Sequence, residues 1–132
     1  MSEFIRRESG AKDIPALLAA RAAGFKESPE YRAMRKYELD IPGVVCGAFA
    51  KYLCRLYLQP NVEQARESAQ EALDLNASSI ELADYVTDEI YENMDCTPET
   101  MKSFSEQLKP NALALYKRWS SDQGKSRPRQ NS

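Results

Sequence analysis

Histidine is absent from the 132 residues. Its absence removes Ser/His/Asp and Cys/His catalytic triads, His-ligated zinc and imidazole acid–base chemistry. Glycine is scarce at 5 residues and proline reaches 7, counts that exclude collagen-like and low-complexity chains. No apolar run approaches the roughly 18 residues of a membrane span, and Met1 to Arg7 hold no apolar stretch of signal-peptide length. The expected location is the cytoplasm. Cysteine is sparse and odd in number, with Cys46, Cys54 and Cys96 in no CxxC spacing. Cys46 and Cys54 would lie about 12 Å apart along one helix axis, too far for a bridge. All three are therefore expected as reduced, buried thiols.

The residues that are present have the composition of one soluble globular domain, 42% hydrophobic and 29% charged. Strand-type alternation is nowhere sustained, while Pro and Ser/Thr/Asp punctuate the chain into about seven helical segments. The expected fold is all-α, a compact bundle or a short stack of antiparallel helices spanning residues 1–120. A flexible basic tail is expected over 121–132, where Gly, Pro, Ser and charges occur without an apolar anchor.

Caps and periodicity define the segments. Asp13 and Pro15 open a helix carrying Leu17, Leu18 and Ala22, which Gly24 stops. Ser28 and Pro29 open a second, through Glu38, with Tyr31, Met34 and Tyr37 inward and Arg32, Arg35 and Lys36 outward. Between Val44 and Leu58 only Lys51 and Arg55 are charged, so this third helix, capped by Asp40, is expected at the centre of the core. Asn61 with Gln64 resembles a capping box for the fourth helix, which ends near Leu75. Ser78 or Ser79 caps the fifth, with an inner stripe of Ile80, Ala83, Val86, Ile90 and Met94. Thr97 with Pro98 and then Pro110 begin the last two.

The charge is unevenly placed. Residues 1–58 carry 10 basic and 7 acidic residues, a net of +3; residues 59–108 carry 2 basic and 12 acidic, a net of −10; residues 109–132 carry 6 basic and 1 acidic, a net of +5. Helix four thus presents Glu63, Glu67, Glu71 and Asp74 outward, and helix five presents Glu81, Asp84, Asp88 and Glu92, with only Arg66 to offset them. Such a field steers a basic partner at raised association rates. Tyr85 and Tyr91 flank the stripe and join the candidate partner surface, since aromatic residues are enriched at interfaces. The other aromatics, Tyr52, Tyr57, Tyr116 and Trp119, have core spacing.

Other chemistry finds no pattern. There is no EF-hand spacing and no ExxH pair for a metal, and no Gly-Lys-Ser/Thr stands after Gly43 and Gly47 to make a phosphate loop. Carboxylates on exposed helix faces lack the contrasting environments that acid–base catalysis needs. The tail cations Lys125, Arg127 and Arg129 are too few for dedicated nucleic-acid binding. No catalytic residue, cofactor or metal is expected, and no nucleic-acid or membrane partner. A protein partner is expected for a monomer or weak dimer.

Glu38 to Tyr57 (ELDIPGVVCGAFAKYLCRLY) and Ser79 to Met94 (SIELADYVTDEIYENM), with the later Tyr116 and Trp119, resemble small all-helical bacterial immunity proteins of contact-dependent and other polymorphic toxin systems. The resemblance covers about half the chain and contains no catalytic motif. It implies a non-enzymatic cytoplasmic protein that binds a cognate toxin domain and blocks it, and it implies no particular site residues. A basic toxin such as a nuclease suits the acidic stripe; the alternative is a non-enzymatic helical adaptor or regulator.

Overall fold

Five of the seven prolines, at positions 15, 29, 42, 98 and 110, stand in the first turn of a helix, where the missing N–H costs nothing. A computed structural model describes residues 13–126. They form α1 (Ile14–Arg21), α2 (Pro29–Arg32), a 3-10 turn (Lys36–Asp40), α3 (Pro42–Leu56), α4 (Glu63–Ala77) and α5 (Ile80–Tyr85). A π-helical turn (Val86–Ile90) and a 3-10 turn (Tyr91–Asn93) prolong α5, and α6 (Pro98–Glu106) and α7 (Pro110–Ser126) complete the order. No strand occurs among the described residues, and the fold is the expected all-α bundle. No described helix is long and apolar enough to cross a membrane.

Two caps stand where the sequence places them. Ser28 Oγ accepts the Tyr31 N–H at 3.1 Å and Thr97 Oγ1 accepts the Thr100 N–H at 3.2 Å. Gly24, at φ +93°, takes the left-handed conformation just beyond α1.

Three boundaries differ. The second segment breaks after Arg32, because the Glu38 carboxylate accepts the Arg35 N–H at 2.7 Å and starts the 3-10 turn; Tyr37 is left 63% exposed rather than inward. Asp40 does not cap α3, whose N-cap is Ile41 with no side-chain bond. The Asn61 box does not form either: Asn61 adopts φ 61°, and α4 starts at Glu63 behind an uncapped Val62. Arg66 governs that corner instead. Its guanidinium donates to the carbonyls of Leu56 and Gln59 and stacks 4.9 Å from the Tyr57 ring, so it closes the C-terminal end of α3 rather than offsetting helix-four charge.

Helix α3 is the hub. Val45, Cys46, Phe49, Ala50 and Leu53 are wholly buried, and the helix packs on α1, α2, α4 and the π turn. One aromatic nest joins Phe25 edge-on to Phe49 and Tyr31, each at 5.1 Å. A second joins Tyr91 to Phe104, Tyr116 and Trp119.

The π turn decides the inner face of the fifth segment. One extra residue per turn rotates the next turn inward, so Ile90 and its neighbour Tyr91 are both buried beside Leu82, Val86 and Met94. Helix α7 runs on to Ser126, past the break expected at Ser121; residues 127–132 of the expected tail lie outside the described residues.

Cysteine pairing departs from expectation. Cys46 is a free, buried thiol, but Cys54 and Cys96 form a disulfide across 42 residues, with Cα atoms 6.0 Å apart. The bridge ties the solvent side of α3 to the loop before α6, a proximity that arises only when both segments pack.

Candidate functional site

The acidic residues of α4 recur every three or four positions and so share one side of the helix. Glu63, Glu67 and Glu71 are exposed, as the periodicity requires. Glu67 meets Lys109 at 2.8 Å, and the hydrogen bond and charge of that lysine hold its carboxyl below the usual carboxylate value. Asp74, next on the stripe, is half-buried. Its carboxylate accepts the Ala112 N–H at 2.9 Å and the Asn111 side-chain amide at 3.2 Å, which makes it the cap of α7.

On the next segment Glu81, Asp84, Asp88 and Glu92 are exposed and Tyr85 is half-buried. Thr87 Oγ1 donates to Asp88 at 3.3 Å, and the Trp119 indole N–H donates to Glu92 at 2.8 Å. Tyr91 does not belong to this surface. It is 1% exposed, its hydroxyl donates to the Ala112 carbonyl at 2.7 Å, and burial pushes its phenol well above the ordinary value. The rotation introduced by the π turn is the reason.

The two stripes therefore border α7 rather than merging. Asp74 and Glu67 hold its N-terminal end, and Glu92 holds Trp119 seven residues beyond Ala112. Beside the latter end lies a groove of about 410 Å³ where Asp84, Asp88 and Glu92 face Arg118 and Trp119. Among the described residues no cation forms an ion pair with Glu63, Glu81, Asp84 or Asp88. Glu63 and Glu81 stand clear of that groove, whereas Arg118 lies across it from Asp84 and Asp88 without pairing with either.

Burial, with the charge of Glu89, pushes the Cys46 thiol up to about 12, so it stays protonated and inert. Among the described residues no group of three or more Cys, Asp or Glu is arranged to hold a metal ion.

A larger groove, about 790 Å³, runs between α2, the 3-10 turn, α3 and the π turn. Sequence reasoning did not find it. Its signal is the pair Gly43 and Gly47, one helical turn apart, which leaves a strip of α3 without side chains. No family model, curated protein or solved structure matches this chain.

Proposed function

We propose that this chain is an immunity protein, a non-enzymatic inhibitor that binds a cognate bacterial toxin domain through its acidic helical surface. The observation that carries the reading is the set Glu63, Glu81, Asp84 and Asp88, exposed and without a paired cation among the described residues, in a segment of net charge −10 over residues 59–108. Crowding like charges on adjacent helices costs self-repulsion, which a basic surface relieves on binding. A toxin that attracts phosphates, such as a nuclease, presents a surface of that sign, and helix-spaced carboxylates occupy its field in place of nucleic acid. The resemblance of residues 38–57 and 79–94 to immunity proteins supports the same reading.

We place the protein in the cytoplasm as part of this proposal, as a monomer or weak dimer. The Cys54–Cys96 bond argues for a more oxidising setting, since structural disulfides are rare where glutathione and thioredoxin act. Alkylation of cellular thiols decides: largely reduced Cys54 and Cys96 support the cytoplasm, and full oxidation moves the protein out of it.

The binding test is a growth competition against cells delivering a toxin domain, taken from the adjacent upstream gene if that gene encodes a large secreted protein with a variable C-terminal domain. The set Glu63→Lys, Glu81→Lys, Asp84→Lys and Asp88→Lys should abolish protection, while Arg32→Glu, Arg35→Glu and Lys36→Glu should preserve it. Full protection by the acidic-face set, with loss in the basic set, would overturn the acidic-surface reading. Absence of protection by the parent chain would leave the helical adaptor as the better account.

A further inference from the structure

The groove of about 790 Å³ beside α3 has an apolar floor made by Ala33, Met34, Val44 and Ala48, and Gly47 lies among them. Gly47 sits inside a 15-residue helix, where glycine weakens the helix relative to alanine. Packing does not call for it: a Cβ added there would meet nothing within 4 Å. The missing side chain keeps the groove open.

The charges around the floor are mostly committed. Glu30 receives two hydrogen bonds from the Arg55 guanidinium, at 2.8 and 3.1 Å, and Glu38 receives the Arg35 N–H. Burial raises the Glu30 carboxyl, but the Arg55 bonds and charge outweigh it and hold the group below its ordinary value. Glu89 differs. It is half-buried, its carboxylate lies against Gly43, 3.5 Å from where a Cβ would stand, and no described cation forms an ion pair with it. Lys51, the rim cation, is exposed, so solvent screens it more than Glu89.

We infer that this groove docks an apolar segment of a protein partner that carries an arginine or lysine, with the aliphatic side chains on the Gly47 floor and the cation on Glu89. Charge complementarity selects the occupant: the uncommitted, partly desolvated charge at the groove is negative and the floor is apolar. Glu89 also borders a small cavity with Asp84, Tyr85 and Asp88, so the groove adjoins the carboxylate row, but its apolar floor lies on α2 and α3 and the inference does not depend on the toxin-binding reading.

The test titrates the whole chain, isotope-labelled, with three capped tetrapeptides of sequence leucine-alanine-X-leucine, where X is arginine, glutamine or glutamate. Amide shifts should concentrate at Gly43, Gly47 and Lys51, and the arginine peptide should bind about fivefold tighter than the glutamine one, with glutamate weakest. Glu89→Gln should erase that ranking while leaving the glutamine peptide's weak binding in place. Gly47→Leu fills the open floor on a better helix former, so it should fold and lose binding of all three. Shifts of the arginine peptide confined to residues 81–88, or an unchanged ranking in Glu89→Gln, would overturn the inference. So would a Glu89→Gln chain that loses only stability, since Glu89 would then serve just the N-terminal end of α3. No readout is shared with the growth competition, so either proposal can fail alone.

Discussion

Asp74 and Ala112 stand 38 residues apart, and the Asp74 carboxylate accepts the Ala112 backbone N–H at 2.9 Å. A residue that helical periodicity assigns to an acidic outer stripe is thus the N-terminal cap of α7. Asp74→Ala should destabilise the fold by about 1 kcal/mol, the usual worth of such a cap, and Asp74→Asn by less, because its amide oxygen still accepts. Urea midpoints of the two variants check this; equal midpoints for Asp74→Ala and the parent would remove the cap from the account.

The Cys54–Cys96 bridge closes a loop of 42 residues. Cross-links of that span restrict the unfolded chain by an amount worth on the order of 2–4 kcal/mol. Reductant should lower the denaturation midpoint of the parent accordingly. The Cys54→Ser/Cys96→Ser double variant should start from the lower midpoint and ignore reductant.

Phe49 and Leu53 are both wholly buried on α3. Phe49→Ala and Leu53→Ala should each cost on the order of 2–5 kcal/mol, from lost transfer energy and the cavity left behind. Phe49 also touches Phe25 edge-on at 5.1 Å and Tyr52 at 6.0 Å, so its loss should fall toward the upper end. Chemical denaturation of the two variants measures both costs.

Alkaline pH should weaken the fold. Burial raises the Cys46 thiol from an ordinary 9.0 to about 12 and raises the Tyr91 phenol from its ordinary 10.0. The unfolded chain ionises first in each case, so the stability contributed by keeping the groups neutral is complete below pH 9 and declines as pH rises above 9 and then above 10. Urea midpoints should fall steadily from about pH 8 to about pH 11. Tyr91→Phe should flatten the upper part of that fall, although it costs about 1 kcal/mol at neutral pH from the lost hydroxyl hydrogen bond to the Ala112 carbonyl.

The helical class, the central place of α3 and most helix starts come from local chemistry: a proline in a first turn, Ser28 and Thr97 as caps, and the near absence of charge between residues 44 and 58. The exposure of Glu63, Glu81, Asp84 and Asp88 was also legible, because one helical period places them together and carboxylates seek water. Other features depended on contacts distant in sequence. Asp74 became a cap because α7 begins against it, and Arg66 turned to α3 because that helix offers carbonyls close by. Cys54 found Cys96 because packing brought their Cα atoms to 6.0 Å. Tyr91 moved from the surface to the core because a π turn, which period counting at 3.6 residues does not anticipate, rotated it inward against Ala112 and Phe104. Periodicity reports which side of a helix faces water; which neighbour then claims an exposed carboxylate or a cysteine is decided by the packing of helices, since these bonds form only between groups that tertiary structure brings within a few ångströms.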